Sequence, residues 1–145
     1  MHGWAPDVID SVGKPELDPA GYLRVFFASS ESSQRAAQQV LERMLSRTSD
    51  PDRPTTWQTR QAQYDAVCAW GILNHALLER LSVIDQPVFV ANGDCDPMIL
   101  PHYSYLLAGI PQARMKIYPD SAHGFLFQLH SEFAADVDAF LSAPD

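Results

Sequence analysis

Basic residues, cysteine and glycine are all scarce in this chain of 145 residues, and each shortage excludes something. Lysine and arginine together number 10 against 18 acids, which gives a formal net charge of -8. No basic stripe is available to track phosphates, so nucleic acid is not expected as a partner. The same deficit disfavours anionic membrane surfaces. No apolar run is long enough to span a bilayer. The two cysteines, Cys68 and Cys95, cannot build a disulfide framework and lack the spacing of metal ligands. The start, Met-His-Gly-Trp-Ala-Pro-Asp, has neither a basic nor an apolar region of the kind a signal peptide needs. A reducing, cytoplasmic setting is the expectation. The seven glycines form no phosphate loop, no dinucleotide fingerprint and no Gly-x-Ser-x-Gly nucleophile elbow.

What is present is enough apolar material for one domain. The hydrophobic fraction is 46%, which argues against disorder. A complete folding unit of this length would bury roughly 70% of its unfolded surface.

The chain divides near Gln86. Residues 1–18 carry Pro6, Gly13 and Pro15 and read as an irregular lead-in. Residues 19–85 read as helix and loop. Pro19 to Ser30 holds Tyr22, Leu23, Val25, Phe26 and Phe27, a short apolar helix. Glu31 to Arg47 is amphipathic, with Ala36, Ala37, Val40, Leu41, Met44 and Leu45 at steps of three and four. The turn formers of Ser46 to Pro54 end it. Thr56 can cap a helix in which Tyr64, Val67 and Cys68 share a face. Gly71 marks its end or a kink, and Leu73, Leu77, Leu78 and Leu81 carry a further helical face.

Residues 86–145 change character. Val88 to Ala91 is a continuous apolar run, which suits a parallel strand covered on both faces. Pro101 to Gly109 reads as a helix with proline at its first turn. Arg114 to Tyr118 alternates as a second strand, and Ser131 to Ser142 is a final helix. Strand, helix, strand, helix is a βαβ unit with a further packing helix.

The chemistry gathers at the strand ends. Asp96 lies in Asn-Gly-Asp-Cys-Asp just past the first strand, and His123 in Ser-Ala-His-Gly just past the second. In an open parallel sheet the cleft lies beyond the carboxyl ends of the strands. An acid that accepts the Nδ1–H of a histidine, and a histidine that serves as base, are two thirds of a hydrolytic triad. Asp96 also fits an ordinary turn residue, and His123 an ordinary loop histidine. Asp94 competes for the acid role, and Asp120 has a local role open to it. Cys95 beside these acids would have its thiol pKa raised, the reverse of activation. His123 and His130 have no carboxylate or cysteine to complete a metal site, so no metal or cofactor is expected.

The stretch from Gln86 to Leu141 resembles the carboxyl-terminal third of α/β-hydrolase-fold enzymes. The likeness rests on Pro87-Val-Phe-Val-Ala-Asn-Gly-Asp-Cys-Asp-Pro-Met-Ile-Leu-Pro101 and on Ile117-Tyr-Pro-Asp-Ser-Ala-His-Gly-Phe-Leu-Phe-Gln128. The family's Gly-x-x-Asp pattern implies Asp96, rather than Asp94, as the triad acid, and His123 as the triad histidine. Acid before histidine is the family's chain order. Residues 19–85 are similar to the helical cap such enzymes insert before the acid-bearing strand. Trp57, Tyr64 and Trp70 are read as helix–helix core, with pocket lining as the other reading.

The resemblance implies a fold class of α/β, a partial α/β-hydrolase fold with a helical cap followed by a βαβα unit. It implies hydrolysis of a small-molecule ester, lactone, amide or related substrate in the intact family. Ser29, Ser30, Ser104 and Ser121 all lack the flanking glycines of an elbow. The chain alone is therefore expected to be inactive, as an amino-terminally truncated hydrolase. Its two strands are expected to leave an apolar edge and an uncovered face. Self-association, or a partner chain supplying further strands, is the expectation. A non-catalytic module that binds a small ligand or mediates assembly is the alternative.

Overall fold

The computed structural model describes residues 4–13, 19–50, 53, 55–72 and 74–143. Residues 1–3 and 14–18 of the lead-in, and Leu73, lie outside the described residues.

A helix, α1 (Pro6–Val12), stands where an irregular lead-in was expected. Pro6 opens its first turn and Asp7 complements the positive end of the helix dipole. The Ser11 hydroxyl donates to the Asp7 carbonyl at 2.8 Å, and the Gly13 N–H closes the end on Ile9 at 2.7 Å. Pro6 and Gly13, which read as breakers, are its punctuation. Helix α1 packs against α2 (Pro19–Phe26), and Val8 and Val25 on the two helices are buried. Next comes α3 (Glu31–Ser46), capped by the Ser30 hydroxyl, which accepts the Ser33 N–H at 3.1 Å. Phe27, Ala37 and Val40 form a core with Leu23 and Phe26 packed on it. The far end of the predicted apolar face, Met44 and Leu45, is exposed.

Helix α4 (Trp57–Trp70) is capped by Thr56 and ends at Gly71. Asn74 caps the short α5 (His75–Glu79), its side chain accepting the Leu77 N–H at 3.3 Å, and a tighter helical turn, Arg80–Val83, follows. None of the described residues between Val40 and Val90 is buried. Trp57 and Trp70 are exposed, and Tyr64 is half-buried with its edge against Trp4. The helix–helix core reading of these three aromatics is therefore corrected. An apolar stripe predicts a buried face only when another element lies across it, and none of the described elements covers this stripe fully.

The second part is a parallel pair, β1 (Val88–Gly93) and β2 (Ala113–Tyr118), joined through α6 (Pro101–Leu107). The register runs from Val88 opposite Ala113 to Gly93 opposite Tyr118. Phe89, Ala91, Arg114, Lys116 and Tyr118 therefore share one face. The last helix, α8 (His130–Leu141), covers that face after a single turn, α7 (Phe125–Gln128). Phe140 stacks on Phe89, and Phe133 meets Tyr118 edge-on. Asp136 accepts from Lys116 Nζ at 2.6 Å and from the Tyr118 hydroxyl at 2.5 Å. The hydrogen bonds from Lys116 and Tyr118 hold the Asp136 carboxyl below its ordinary value. Burial, followed by the bond to Asp136, pushes the Tyr118 hydroxyl up. Helix α6 covers the opposite face, its Ser104 bonded to Asn92.

The expected uncovered face is thus corrected, since each face of the pair carries a helix. The strands remain largely half-buried, because two strands are too narrow to enclose a continuous apolar run. In a two-stranded sheet each strand keeps one edge outside the ladder.

Candidate functional site

Both strands run the same way, so the loop after β1 and the loop after β2 leave the sheet at one end. Residues 94–100 form the acid loop, and residues 119–124 form the histidine loop. Gly93 lets them touch. A Cβ there would lie 2.5 Å from the Ala122 carbonyl oxygen and would collide with that of Ser121. The loops then bond directly. The Cys95 N–H donates to the Ser121 carbonyl at 2.9 Å, and the Asp94 N–H to the Tyr118 carbonyl at 3.0 Å.

Asn92 folds the acid loop back. It is buried, and its amide nitrogen donates to the Ile99 carbonyl at 2.7 Å and to Ser104 Oγ at 3.1 Å. Its oxygen accepts the Gly93 N–H at 2.8 Å. This fold turns Asp96 inward, where its carboxyl is 2% exposed. Asp96 Oδ1 accepts the Met98 and Ile99 N–H groups at 2.7 and 2.9 Å. Oδ2 lies 2.9 Å from His123 Nδ1. A carboxylate only accepts, so the pairing puts the imidazole proton on Nδ1 and leaves the Nε2 lone pair free to take a proton. The His123 side chain is 32% exposed, open enough to meet a substrate.

The other acids have different work. Asp94 Oδ1 accepts the Ser121 N–H at 3.2 Å, which ties the two loops together. Asp120, at φ 53°, takes the Ser32 hydroxyl at 2.5 Å, and hydrogen bonds from Ser30 and Ser32 hold its carboxyl low. The structure brings Asp96, and neither Asp94 nor Asp120, to the imidazole. Of the serines considered, Ser30 caps α3, Ser104 holds Asn92, Ser121 donates to the Tyr118 carbonyl, and Ser29 is exposed. The Cys95 thiol is pushed up, first by its hydrogen bond with Asp94 and then by burial, which opposes thiolate chemistry. His130 opens α8 and is exposed. Among the described residues no group of three or more His, Cys, Asp or Glu could hold a metal ion.

Sequence reasoning missed what holds the histidine loop from outside the sheet. The His123 N–H donates to the Val25 carbonyl at 3.4 Å, and the Gly124 N–H to that of Phe26 at 2.7 Å. The buried Ser33 hydroxyl donates to Gln128 at 2.6 Å and accepts the Ala28 N–H at 2.8 Å. Gln128 in turn donates to the Asp120 carbonyl at 2.7 Å. Helices α2 and α3 thus grip a loop more than 80 residues downstream of Ser32, the separation of the Ser32–Asp120 pair being 88. Only the polar spacing Ser30, Ser32 and Ser33 hinted at this, and it reads equally as a helix cap.

Beside the acid loop is an apolar cleft of about 360 Å³, lined by Trp4, Trp70, Leu78, Met98, Ile99 and Leu107 among others. It shares Met98 and Ile99 with the Asp96 loop and does not include His123.

The class defined so far is an α/β protein with an acid–histidine pair at the carboxyl end of a parallel unit. Solved structures extend this. An α/β-hydrolase-fold protein from Chitinophaga pinensis superposes with a TM-score of 0.81 at 31% identity, over 96% of this chain and 50% of that one. A thermophilic esterase matches at TM-score 0.61 and 19% identity, over 96% of this chain and 51% of its own. Est816, described as an N-acyl homoserine lactone degrading enzyme, matches at 0.63 and 22% identity, over 94% and 51%. No protein-family model and no curated protein matches the chain. The chain spans about half the length of these solved structures. It has a partial α/β-hydrolase fold.

Proposed function

We propose that this chain carries the acid and the histidine of an α/β-hydrolase triad, Asp96 orienting and His123 acting as base and then acid. The observation that supports this best is the 2.9 Å contact between His123 Nδ1 and a carboxyl that is otherwise buried and bonded to two backbone N–H groups. A buried carboxylate in that setting stabilises the imidazolium formed when a nucleophile gives up its proton. The nucleophile and the oxyanion hole come from other polypeptide, in the same protein or in a partner. Residues 19–85 act as the cap. The apolar cleft suits the non-reacting part of a small ester or lactone substrate. The free edge of β1 accepts a further strand, from that polypeptide or from a second copy of this chain. Two exposed free cysteines fit a reducing, cytoplasmic setting. Among the described residues no helix is long and apolar enough to cross a membrane.

The cleft also favours a second reading, a non-catalytic module that holds a small apolar ligand, since His123 is not among its lining residues. A p-nitrophenyl ester assay on this chain alone tests the first reading. It is expected to give the same background rate with His123→Ala as with the natural chain. Turnover by the chain alone that disappears in that variant would show that no outside nucleophile is required.

A further inference from the structure

We propose that Phe26, backed by Tyr22, is the positioning residue for the His123 imidazole. This deepens the triad reading and rests on it. The Phe26 ring stands perpendicular to the imidazole, with centroids 5.1 Å apart. Tyr22, one helical turn earlier, stacks on Phe26 at 3.9 Å with the rings 19° from parallel. The three rings form a ladder from α2 to the imidazole. Aromatic pairs in edge-on and stacked geometry are favoured beyond simple burial.

The ladder supplies what Asp96 cannot. The bond at Nδ1 and the covalent tether at Cβ still let the ring tilt through coupled side-chain rotations. A ring wall at the side removes that freedom, so Nε2 keeps one direction. The backbone makes the wall rigid. The Phe26 carbonyl takes the Gly124 N–H at 2.7 Å, and the Val25 carbonyl takes that of His123 at 3.4 Å. A Cβ at Gly124 would lie 2.7 Å from the Phe26 carbonyl oxygen, so only glycine permits the approach. Phe26 is also anchored from behind, against the core of Phe27, Ala37 and Val40. The positioning residue thus belongs to the helical region, outside the sheet that carries the acid and the histidine. A shift of α2 would move the imidazole with it.

The test is nuclear magnetic resonance of the full chain, labelled with ¹⁵N, following the His123 ring nitrogens and side-chain couplings. Phe26→Leu keeps the carbonyl and most of the apolar volume and removes the ring. It is expected to raise the population of other His123 rotamers roughly five-fold and to broaden the Nδ1–H resonance. Phe26→Trp, which restores a ring, is expected to recover a single rotamer. If Phe26→Leu loses amide dispersion, Tyr22→Leu serves in its place, with the same broadening expected in smaller degree. A natural-chain Nδ1–H resonance that survives the leucine variant unchanged overturns the positioning role and leaves the triad pair standing. A natural chain whose Nδ1 carries no proton bonded to Asp96 overturns the pair, and the positioning role with it.

Discussion

Gly93→Ala is expected to destabilise the chain by about 3 kcal/mol, lowering its thermal midpoint by roughly 10 °C. The new methyl would meet two backbone carbonyls, those of Ser121 and Ala122. A flexible side chain could rotate away, but these oxygens belong to the loop that carries His123. Relief requires the histidine loop to lift from β1. That would strain the Cys95 to Ser121 bond and the Asp94 contact to the same residue. Gly109→Ala is the control. Its Cβ would sit 3.4 Å from the Leu106 carbonyl, close to ordinary contact, and a near-neutral result is expected. Differential scanning calorimetry compares the two. Equal midpoints would mean that the loops are farther apart than described.

Asp96→Asn is expected to lower turnover by about 10⁴-fold, measured in an assembly of this chain with a polypeptide supplying the nucleophile elbow of a related esterase. The amide oxygen can still accept the Met98 and Ile99 N–H groups, so the acid loop should hold. The amide nitrogen, however, is a donor facing Nδ1. It would move the imidazole proton to Nε2, the nitrogen that must accept one. Asp96→Ala does something else. It leaves the part-buried Met98 and Ile99 N–H groups without this partner, at a cost of about 1 kcal/mol, and so confuses folding with catalysis. The asparagine variant separates them, with an unchanged melting midpoint and a collapsed rate. A rate within ten-fold of the natural chain would remove Asp96 from the acid role.

Much of this site is legible in the sequence, because it is local. The apolar run before Asn-Gly-Asp-Cys-Asp and the alternation before Ser-Ala-His-Gly each specify a strand with a polar loop at its end. The parallel βαβ order then brings Asp96 and His123 to the same end. Their contact at 2.9 Å follows from topology more than from any local signal. The Asp94 question was not legible in the residues alone. Asp94 and Asp96 lie two positions apart in one loop, and only the inward fold made by Asn92 decides which one is buried. The grip of α2 and α3 on the histidine loop was illegible for a different reason. The α2 part is made by backbone carbonyls of Val25 and Phe26, which every residue type possesses, and the α3 part by Ser32 and Ser33, whose spacing reads equally as a helix cap.

The helical region shows where periodicity misleads. Ala37 and Val40 are buried as their spacing predicts, while Met44 and Leu45 on the same predicted stripe are exposed. Trp57 and Trp70 follow the second pattern. A stripe records a face made for burial and is silent about whether its partner lies within the chain. Helix α1 was missed by the converse error. Pro6 and Gly13 read as breakers in isolation, although proline at the start and glycine past the end are what a short helix needs.

The most direct test of the account is the rate of ester hydrolysis by that assembly, with and without His123→Ala. The account predicts turnover that neither polypeptide shows alone and that falls by several orders of magnitude in the variant, since triad members act as a unit. An assembly whose rate is indifferent to His123 would contradict it.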